Sequence, residues 1–468
     1  MRCLMFICLL ICSLPSFALD RSRVEGYLLP NGLQVILKDG YERDHVSIRL
    51  VVGVGLDDFG CEQKELPHLL EHLLFSGIDE AGEGGLERRL QALGGEWNAY
   101  TSNADTTFVI EAPARNQRKV LDLLLAILQD THIDAKALAT AKRIIEREDG
   151  GHYGHLQRWL DRQDIGHPAS QQLATELGLK CPERSNLDDM TLEQVQGLRE
   201  RWYAANNMTL IMVGGLDRLL PAYLERTFGE LPATEPEERR DLETISHKAD
   251  QRRDLMHGWL GDSAKLHWLF IEPVLDNDHQ ATLDLLSRYL DWALYDQLRL
   301  RNGLSYGPSV QRESYGDTGL ISLNADLERD DIGRAVDVMQ SLFERLRKDG
   351  LDADTFARIK QASIARESWS TQGNSALADY YWGALNDYTD GRFASPTRQL
   401  RHVTLEQANQ ALRQLLKGDG YIRIEKPLLG YDELYGLVFL VLGLILAAGL
   451  LRWRRQAPHK PSGATRQR

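Results

Sequence analysis

The segment "PHLLEHLLFSG" (67–77) places two histidines and a glutamate within five positions of an apolar stretch. On a helix, His68 and His72 lie on one face about one turn apart, with Glu71 beside them. Two imidazoles at this spacing can bind one zinc ion, and a neighbouring carboxylate can accept a proton from an activated water. This H-x-x-E-H order is the inverted zincin arrangement. The alternative is a helix with incidental histidines, but ionisable groups buried among leucines need partners.

A catalytic zinc site needs a third protein ligand, because zinc there has three protein ligands and one open position. The helical segment "DAKALATAKRIIERED" offers several carboxylates. At 100° per residue, Glu148 shares the apolar face of Leu138, Ala141 and Ile145, whereas Glu146 points to the opposite side. A carboxylate on an apolar face needs a partner, so Glu148 is the predicted third ligand. The alternative is a helix-end carboxylate that reaches water.

These motifs resemble the pitrilysin/insulinase family of inverted zincins, which includes insulin-degrading enzyme and the mitochondrial processing peptidase. The resemblance covers about residues 25–428 and rests on "LPNGLQVIL", "PHLLEHLLFSG", "GGEWNAYTS", the Glu148 helix and "NNMTLIMVGG". It implies a zinc metalloendopeptidase with one Zn²⁺ per chain. In that family a glutamate about 76 residues after the second histidine completes the zinc site, and Glu148 is 76 residues after His72.

The resemblance also implies where substrate binds. "LRLRNGLSYGP" is similar to the Arg/Tyr element of the family, which implies that Arg299 and Tyr306 bind the substrate backbone near the metal. A substrate strand could also add to a sheet edge along "EWNAYTS", with Asn98 and Ala99 as contacts. One position departs from the family, which usually has a glutamate where this chain has Ala141. We expect zinc binding to persist, while the change bears on the catalytic rate.

The elements that must position these residues indicate an α+β fold with two homologous-looking domains. Each domain is expected to be a mainly antiparallel sheet covered by helices, because the order of strands and long amphipathic helices recurs after a polar linker. Asn31-Gly32 predicts an early hairpin. The predicted domains are a catalytic zinc domain (19–230), a linker (231–250) and a C-terminal domain (251–428) that is inactive because it has no second H-x-x-E-H.

Both ends of the chain carry apolar segments. Residues 1–18 are predicted to be a signal peptide cleaved after Ala18, with a retained anchor as the alternative. Residues 434–451 form an uncharged run of bilayer length, which predicts a C-terminal transmembrane helix; a buried core helix is the alternative. The basic tail (452–468) places the C-terminus in the cytoplasm. We therefore expect a single-pass protein of the inner membrane whose catalytic part lies in the periplasm.

Charge and cysteine content narrow the choice of partners. The formal net charge is −13 and becomes more negative without the basic ends, which argues against nucleic acid. After removal of the signal peptide only Cys61 and Cys181 remain. An export compartment permits a disulfide between them, although the sequence does not decide whether they meet.

The chain has half the length of the four-domain family members that enclose peptides in a chamber. This implies a dimer, either a homodimer or a heterodimer with another half-length member, that acts on peptides or unfolded segments. Two other functions stay open. One is a non-catalytic scaffold subunit of the same fold, with Ala141 as a sign of lost activity. The other is a zinc carrier of the export compartment.

Overall fold

The computed structural model consists mainly of two β-sheets and the helices that pack on both faces of each sheet. The structure describes residues 21–76, 83–148, 168–181, 186–235, 249–275, 279–316 and 318–456. The predicted signal peptide, the centre of the predicted linker (236–248) and the end of the basic tail (457–468) lie outside the described residues. The predicted α+β class with two sheet-containing halves is confirmed.

The first sheet has six strands and contains one parallel pair. The strands are β1 (Glu25–Leu28), β2 (Gln34–Asp39), β3 (His45–Val52), β4 (Glu96–Thr101), β5 (Thr106–Pro113) and β6 (Met208–Gly214). Their spatial order is β1-β2-β6-β3-β5-β4, and only β2 and β6 run parallel. The predicted hairpin joins β1 to β2, where Gly32 has a φ of 85°. A positive φ is readily adopted only by glycine.

Strand β3 is buried along almost its whole length because helices cover both faces of the sheet. Val46, Ile48 and Leu50 point into the larger core, and Val51 points into a smaller one on the other face. The helices of this half are α1 (Leu66–Ser76), α2 (Glu83–Ala92), α3 (Gln117–Asp130), α4 (Ala135–Glu148), α5 (Ala169–Glu176), α6 (Leu192–Trp202) and α7 (Leu220–Thr227).

The second sheet repeats much of this plan with five strands. They are β7 (Arg252–Met256), β8 (Ser263–Ile271), β9 (Ser309–Tyr315), β10 (Thr318–Glu328) and β13 (Tyr421–Lys426), in the order β7-β13-β8-β10-β9. A separate short hairpin consists of β11 (Tyr388–Thr389) and β12 (Arg392–Phe393). The helices are α8 (His279–Leu294, continued by a π-helical turn, Tyr295–Arg301), α9 (Ile332–Asp349), α10 (Ala353–Ser370), α11 (Asn374–Gly383), α12 (Pro396–His402), α13 (Leu405–Leu415) and α14 (Tyr431–Gln456). As in the first sheet, one pair is parallel, here β7 with β13.

Each half contributes one helix that packs on the sheet of the other half. Helix α11 packs on the outer face of the first sheet, where Leu377 and Tyr381 are fully buried against Ile36 and Ile211. Helix α5 packs on the second sheet, where Leu173 joins a buried cluster on that side. The two halves therefore share cores instead of meeting only at a linker.

Buried arginines hold both of these helices, α11 and α5, in place. Arg49 on β3 is 1% exposed and donates to Asp379 Oδ1 (2.8 Å) and Ser375 Oγ (3.0 Å) on α11, and to Glu111 Oε1 (2.9 Å) on β5. In the second half, Arg423 on β13 donates to Glu176 on α5. Burial lowers the pKa of the Arg423 guanidinium, and the charge of Glu176 opposes that effect.

We expect Arg49→Ala to lower the free energy of unfolding by about 2–3 kcal/mol, because it removes all five hydrogen bonds of the guanidinium and leaves Glu111 without its guanidinium partner. Asp379 is half exposed, so the loss stays below that of a fully buried pair. Denaturant titration measures the change. As a control, Arg334→Ala removes an exposed pair with Asp331 and should cost less than about 0.5 kcal/mol. Equal effects of the two substitutions would contradict the role given to Arg49.

Cys61 and Cys181 form a disulfide, which settles the pairing that the sequence left open. The bond joins the turn before α1 to the segment after α5, across 120 positions of sequence. It therefore links the start of the H-x-x-E-H helix to the segment that follows α5, the helix that packs on the second sheet.

Reduction of this disulfide should lower the free energy of unfolding by up to about 5 kcal/mol, the chain-entropy value for a loop of this length. Urea titration with and without a thiol reductant measures the difference. A C61S/C181S variant should have the stability of the reduced protein and should not respond to reductant. A reductant effect of the same size in that variant would show that the disulfide is not its cause.

Helix α14 differs from the other described helices because nearly all side chains over Tyr431–Trp453 are exposed. Within the described residues it is the one helix that is long and apolar enough to cross a bilayer, over Tyr431–Trp453. The predicted span (434–451) lies inside it.

Candidate metal centre and active site

Helix α1 is held in the core by one side and opens to solvent on the other. Leu69, Leu70 and Leu73 are fully buried, and the helix packs against α4 and α6. Pro67 lies in its first turn, where a missing N–H costs no intrahelical hydrogen bond. His68 and His72 keep 23% and 19% of their side-chain surface exposed. The leucines thus fix the helix while both imidazoles remain accessible.

Three donor atoms from α1 and α4 converge. His68 Nε2 and His72 Nε2 are 3.2 Å apart, and Glu148 Oε2 lies 3.5 Å from the first and 3.3 Å from the second. Helix α4 carries Glu148 to this position because Leu138 and Ile145 bury its apolar face. The structure therefore brings together the three residues that the sequence predicted as metal ligands.

The spacing of these donors fits a single zinc ion. Ligand atoms at about 2.0–2.1 Å from a tetrahedral ion lie about 3.3 Å from one another. The three observed separations, 3.2, 3.3 and 3.5 Å, bracket that value. Two imidazole nitrogens and one carboxylate are also a donor set that zinc prefers, with a fourth position left for a reacting group. The residues present could hold the metal without rearrangement of the backbone.

Glu71 lies beside the three donors and is 8% exposed. Its Oε2 accepts a hydrogen bond from Thr101 Oγ1 at 2.7 Å, on β4. Tyr203 lies behind it: burial raises the pKa of the Tyr203 phenol, and the negative charge of Glu71 raises it further. The phenol therefore stays neutral next to the Glu71 carboxylate. The contact with Thr101 orients the carboxylate while leaving its other oxygen for a proton.

A second carboxylate, Glu65, contacts one of the two donor histidines and was missed in the sequence. Its Oε2 lies 3.2 Å from His68 Nδ1, the ring nitrogen that does not face the other two donors, and the side chain is buried. A carboxylate at the second nitrogen fixes the tautomer and direction of a ligating imidazole. The spacing of three residues was a usable signal, because i and i+3 are neighbours at a helix start. Ala141, where the family usually has a glutamate, is buried in the apolar core.

Arg299 and Tyr306 contact each other across the end of the π-helical turn. Arg299 Nη1 donates to the Tyr306 carbonyl at 2.7 Å, and its guanidinium lies 4.3 Å from the Tyr306 ring centroid. The Tyr306 side chain is 82% exposed. The pair thus places an exposed tyrosine beside a half-buried arginine just before β9, and its predicted role in substrate binding stays a prediction.

Asn98 and Ala99 lie on β4, which is an edge strand of the first sheet. The Ala99 N–H donates to the Asn98 side-chain oxygen at 2.9 Å, and Asn98 Nδ2 donates to the Tyr100 hydroxyl. A strand that added to this edge would replace the bond to the Ala99 N–H with a main-chain bond. The same strand carries Thr101, so this edge leads directly to Glu71.

Two sequence models of one peptidase family match the chain. The model described as "Insulinase (Peptidase family M16)" matches residues 34–152, which contain the three donors and Glu71. The model described as "Peptidase M16 inactive domain" matches residues 189–363. The chain belongs to peptidase family M16. The family resemblance predicted from the motifs is confirmed.

Individual M16 relatives agree with this assignment. The zinc protease YmxG of Bacillus subtilis, itself uncharacterized, is 19% identical over 86% of this chain and 98% of its own length. The beta subunit of the mitochondrial-processing peptidase of Neurospora crassa is 26% identical over 44% of each chain. The periplasmic protease PqqL of Escherichia coli has the same fold, with a TM-score of 0.69 and 17% identity, over 86% of this chain and 47% of PqqL. The chain therefore spans less than half of two of these relatives.

If Glu65 orients His68, we expect Glu65→Ala to weaken zinc binding about 10- to 100-fold, the usual effect of losing such a carboxylate. Competition with a chromophoric chelator measures the affinity, and circular dichroism checks the fold. Glu62→Ala removes an exposed acid from the same turn and should leave the affinity unchanged. An unchanged affinity in the Glu65 variant would assign that residue a purely structural role.

Proposed function

We propose that this M16 chain is a zinc-dependent endopeptidase that cleaves peptides or unfolded protein segments. The observation that carries the proposal is the convergence of His68, His72 and Glu148 at tetrahedral spacing, with Glu71 held beside them by Thr101. When bound by these three residues, zinc supplies the Lewis acidity that activates water and polarises a peptide carbonyl.

The chain's own residues would divide the remaining tasks. Glu71 takes a proton from the attacking water and returns it to the leaving amine, which is general base and then general acid catalysis. Glu65 keeps the ring of His68 in position through Nδ1. A substrate strand pairs with β4 at Asn98 and Ala99, and Arg299 and Tyr306 bind its main chain from the second half. These assignments make the second half a substrate-binding partner of the zinc-binding half.

In this proposal the protein works as a dimer that is tethered to a membrane. The chain corresponds to about half of PqqL, so a second chain of similar length would supply the other half of a chamber. A copy of this chain or a related half-length M16 chain could fill that position. Helix α14 would cross the inner membrane, with the catalytic part in the periplasm and the basic tail in the cytoplasm. The disulfide supports an oxidising compartment such as the periplasm.

The test compares the wild type with Glu71→Gln in digestion of a diverse peptide library, with and without a chelator. We expect the wild type to cleave in a chelator-sensitive way. The variant should keep one zinc per chain and lose about 10²–10⁴-fold in rate, because its amide cannot accept the proton. The matched control is Glu146→Gln on α4, an exposed carboxylate two residues from Glu148, which should behave as the wild type.

Two outcomes would overturn the proposal. A zinc-loaded wild type that cleaves no peptide would favour the non-catalytic scaffold, and fast metal exchange without hydrolysis would favour the zinc carrier. A Glu71→Gln variant as fast as the wild type would remove Glu71 from the catalytic role.

A further inference from the structure

Helix α14 is attached to the second sheet by a short and well-bonded junction. Four residues separate the end of β13 from the first residue of α14. The Tyr431 N–H donates to Asp262 Oδ1 at 2.9 Å, and Arg329 Nη2 lies 3.0 Å from Glu433 Oε2. Glu433 also accepts from the Gly430 N–H at 3.1 Å. These bonds fix the direction in which the helix leaves the domain.

An exposed apolar patch lies beside that junction. Trp259 and Leu260, between β7 and β8, are 44% and 41% exposed, and Leu428 and Leu429, between β13 and α14, are 47% and 39% exposed. Leu260 and Leu429 form a parallel bridge, and the Leu429 N–H donates to the Trp259 carbonyl at 3.0 Å. Exposed single leucines are common, but a contiguous, backbone-bonded apolar group indicates a surface that meets another phase or partner. We call these four residues the junction patch.

The junction patch lies at one end of the strands of the second sheet. Strands β7, β13 and β10 end there and β8 begins there, because β8 runs antiparallel to β10 and β13, and β13 runs parallel to β7. Strand β8 then runs nine residues to Ile271, about 30 Å away. Val274, just beyond that far end, is 92% exposed. One end of the strands of this domain thus lies at the helix junction, and the opposite end lies well away from it.

The chemistry of the patch fits a lipid interface. Trp and Tyr are enriched where a bilayer meets water, since their rings are apolar and their N–H or O–H groups can bond to water and headgroups. Helix α14 has 26 residues and a length of about 39 Å, which exceeds the roughly 30 Å hydrocarbon core. In a helix that crosses the bilayer, its first turns, with Tyr431 and Tyr435 stacked 6.5 Å apart, would therefore fall at headgroup level. The junction patch is continuous with those turns.

We infer that the junction patch inserts into the lipid headgroup boundary of the leaflet that α14 enters. The second sheet then contacts the membrane at the end of its strands that lies beside the junction. The inference rests on the membrane tether of the proposed function and adds a second contact to it. The catalytic part would then keep one orientation relative to the bilayer, because the junction bonds leave little freedom at the start of α14.

Spin-label accessibility in the predicted mature chain (19–468), reconstituted into phosphatidylcholine–phosphatidylglycerol vesicles, tests this inference. Cys61 and Cys181 are joined to each other, so a newly introduced cysteine is the thiol available for labelling. L260C and L428C report the patch, V274C is the water-exposed control of the same domain, and L442C reports the middle of α14. We expect labels at 260 and 428 to be severalfold less accessible than that at 274 to a water-soluble nickel chelate, and more accessible to oxygen.

The label at 442 distinguishes a failure of the patch contact from a failure of the membrane tether. Protection at 442 with full nickel accessibility at both 260 and 428 would overturn the inference and leave the tether standing. Accessibility at 442 would overturn both. Protection of the labels at 260 and 428 from both the nickel chelate and oxygen would mean that a second protein surface covers the patch, which also contradicts the inference.

Discussion

The whole candidate site depends on the packing of α1 against α4. These helices start about 70 residues apart in the sequence, and nothing local brings His68 near Glu148. Their buried leucine and isoleucine side chains do so, because the apolar face of each helix gains free energy only by packing against its neighbours. The donors lie where these faces meet solvent. Burial of apolar surface thus sets a separation of 3.3–3.5 Å between polar atoms of two helices.

The rest of the first half supports that contact. The sheet carries α1 on one face, and its edge strand β4 supplies Thr101 to Glu71. Glu65 supplies the carboxylate for His68 from the turn before the helix, and the disulfide begins in the same turn. The second half has a similar order of strands and helices, but its described residues contain no comparable set of metal-ligand donors. Its place in the proposed mechanism is to face the half that carries the three donors and to hold substrate.

Much of this arrangement could be predicted because its signals are local. The periodicity of α1 and α4 fixed which side chains share a face, so His68, His72 and Glu148 could be selected from the sequence. The hairpin at Asn31-Gly32 and the recurring strand–helix order predicted two sheets. Whether Cys61 and Cys181 meet could not be predicted with the same reasoning, since it depends on a tertiary distance, whereas the i, i+3 spacing of Glu65 and His68 was a local signal that was missed because Glu65 lies just outside the helix. The exchange of α5 and α11 was also invisible, because an amphipathic helix does not encode which sheet will cover it.

That exchange changes the meaning of the boundary between the halves. The connecting segment near 231–250 is the natural place to divide the sequence, yet α5 precedes it and belongs to the second sheet, while α11 follows it and belongs to the first. A nick in the connector would leave two interlocked fragments, held by Arg49, Arg423 and the cores around Leu377 and Leu173. Either fragment on its own would expose an uncovered sheet face, and Arg49 and Arg423 would each lose the carboxylate that the other half supplies. The halves could therefore not become independent proteins unless both of these sheet faces were rebuilt.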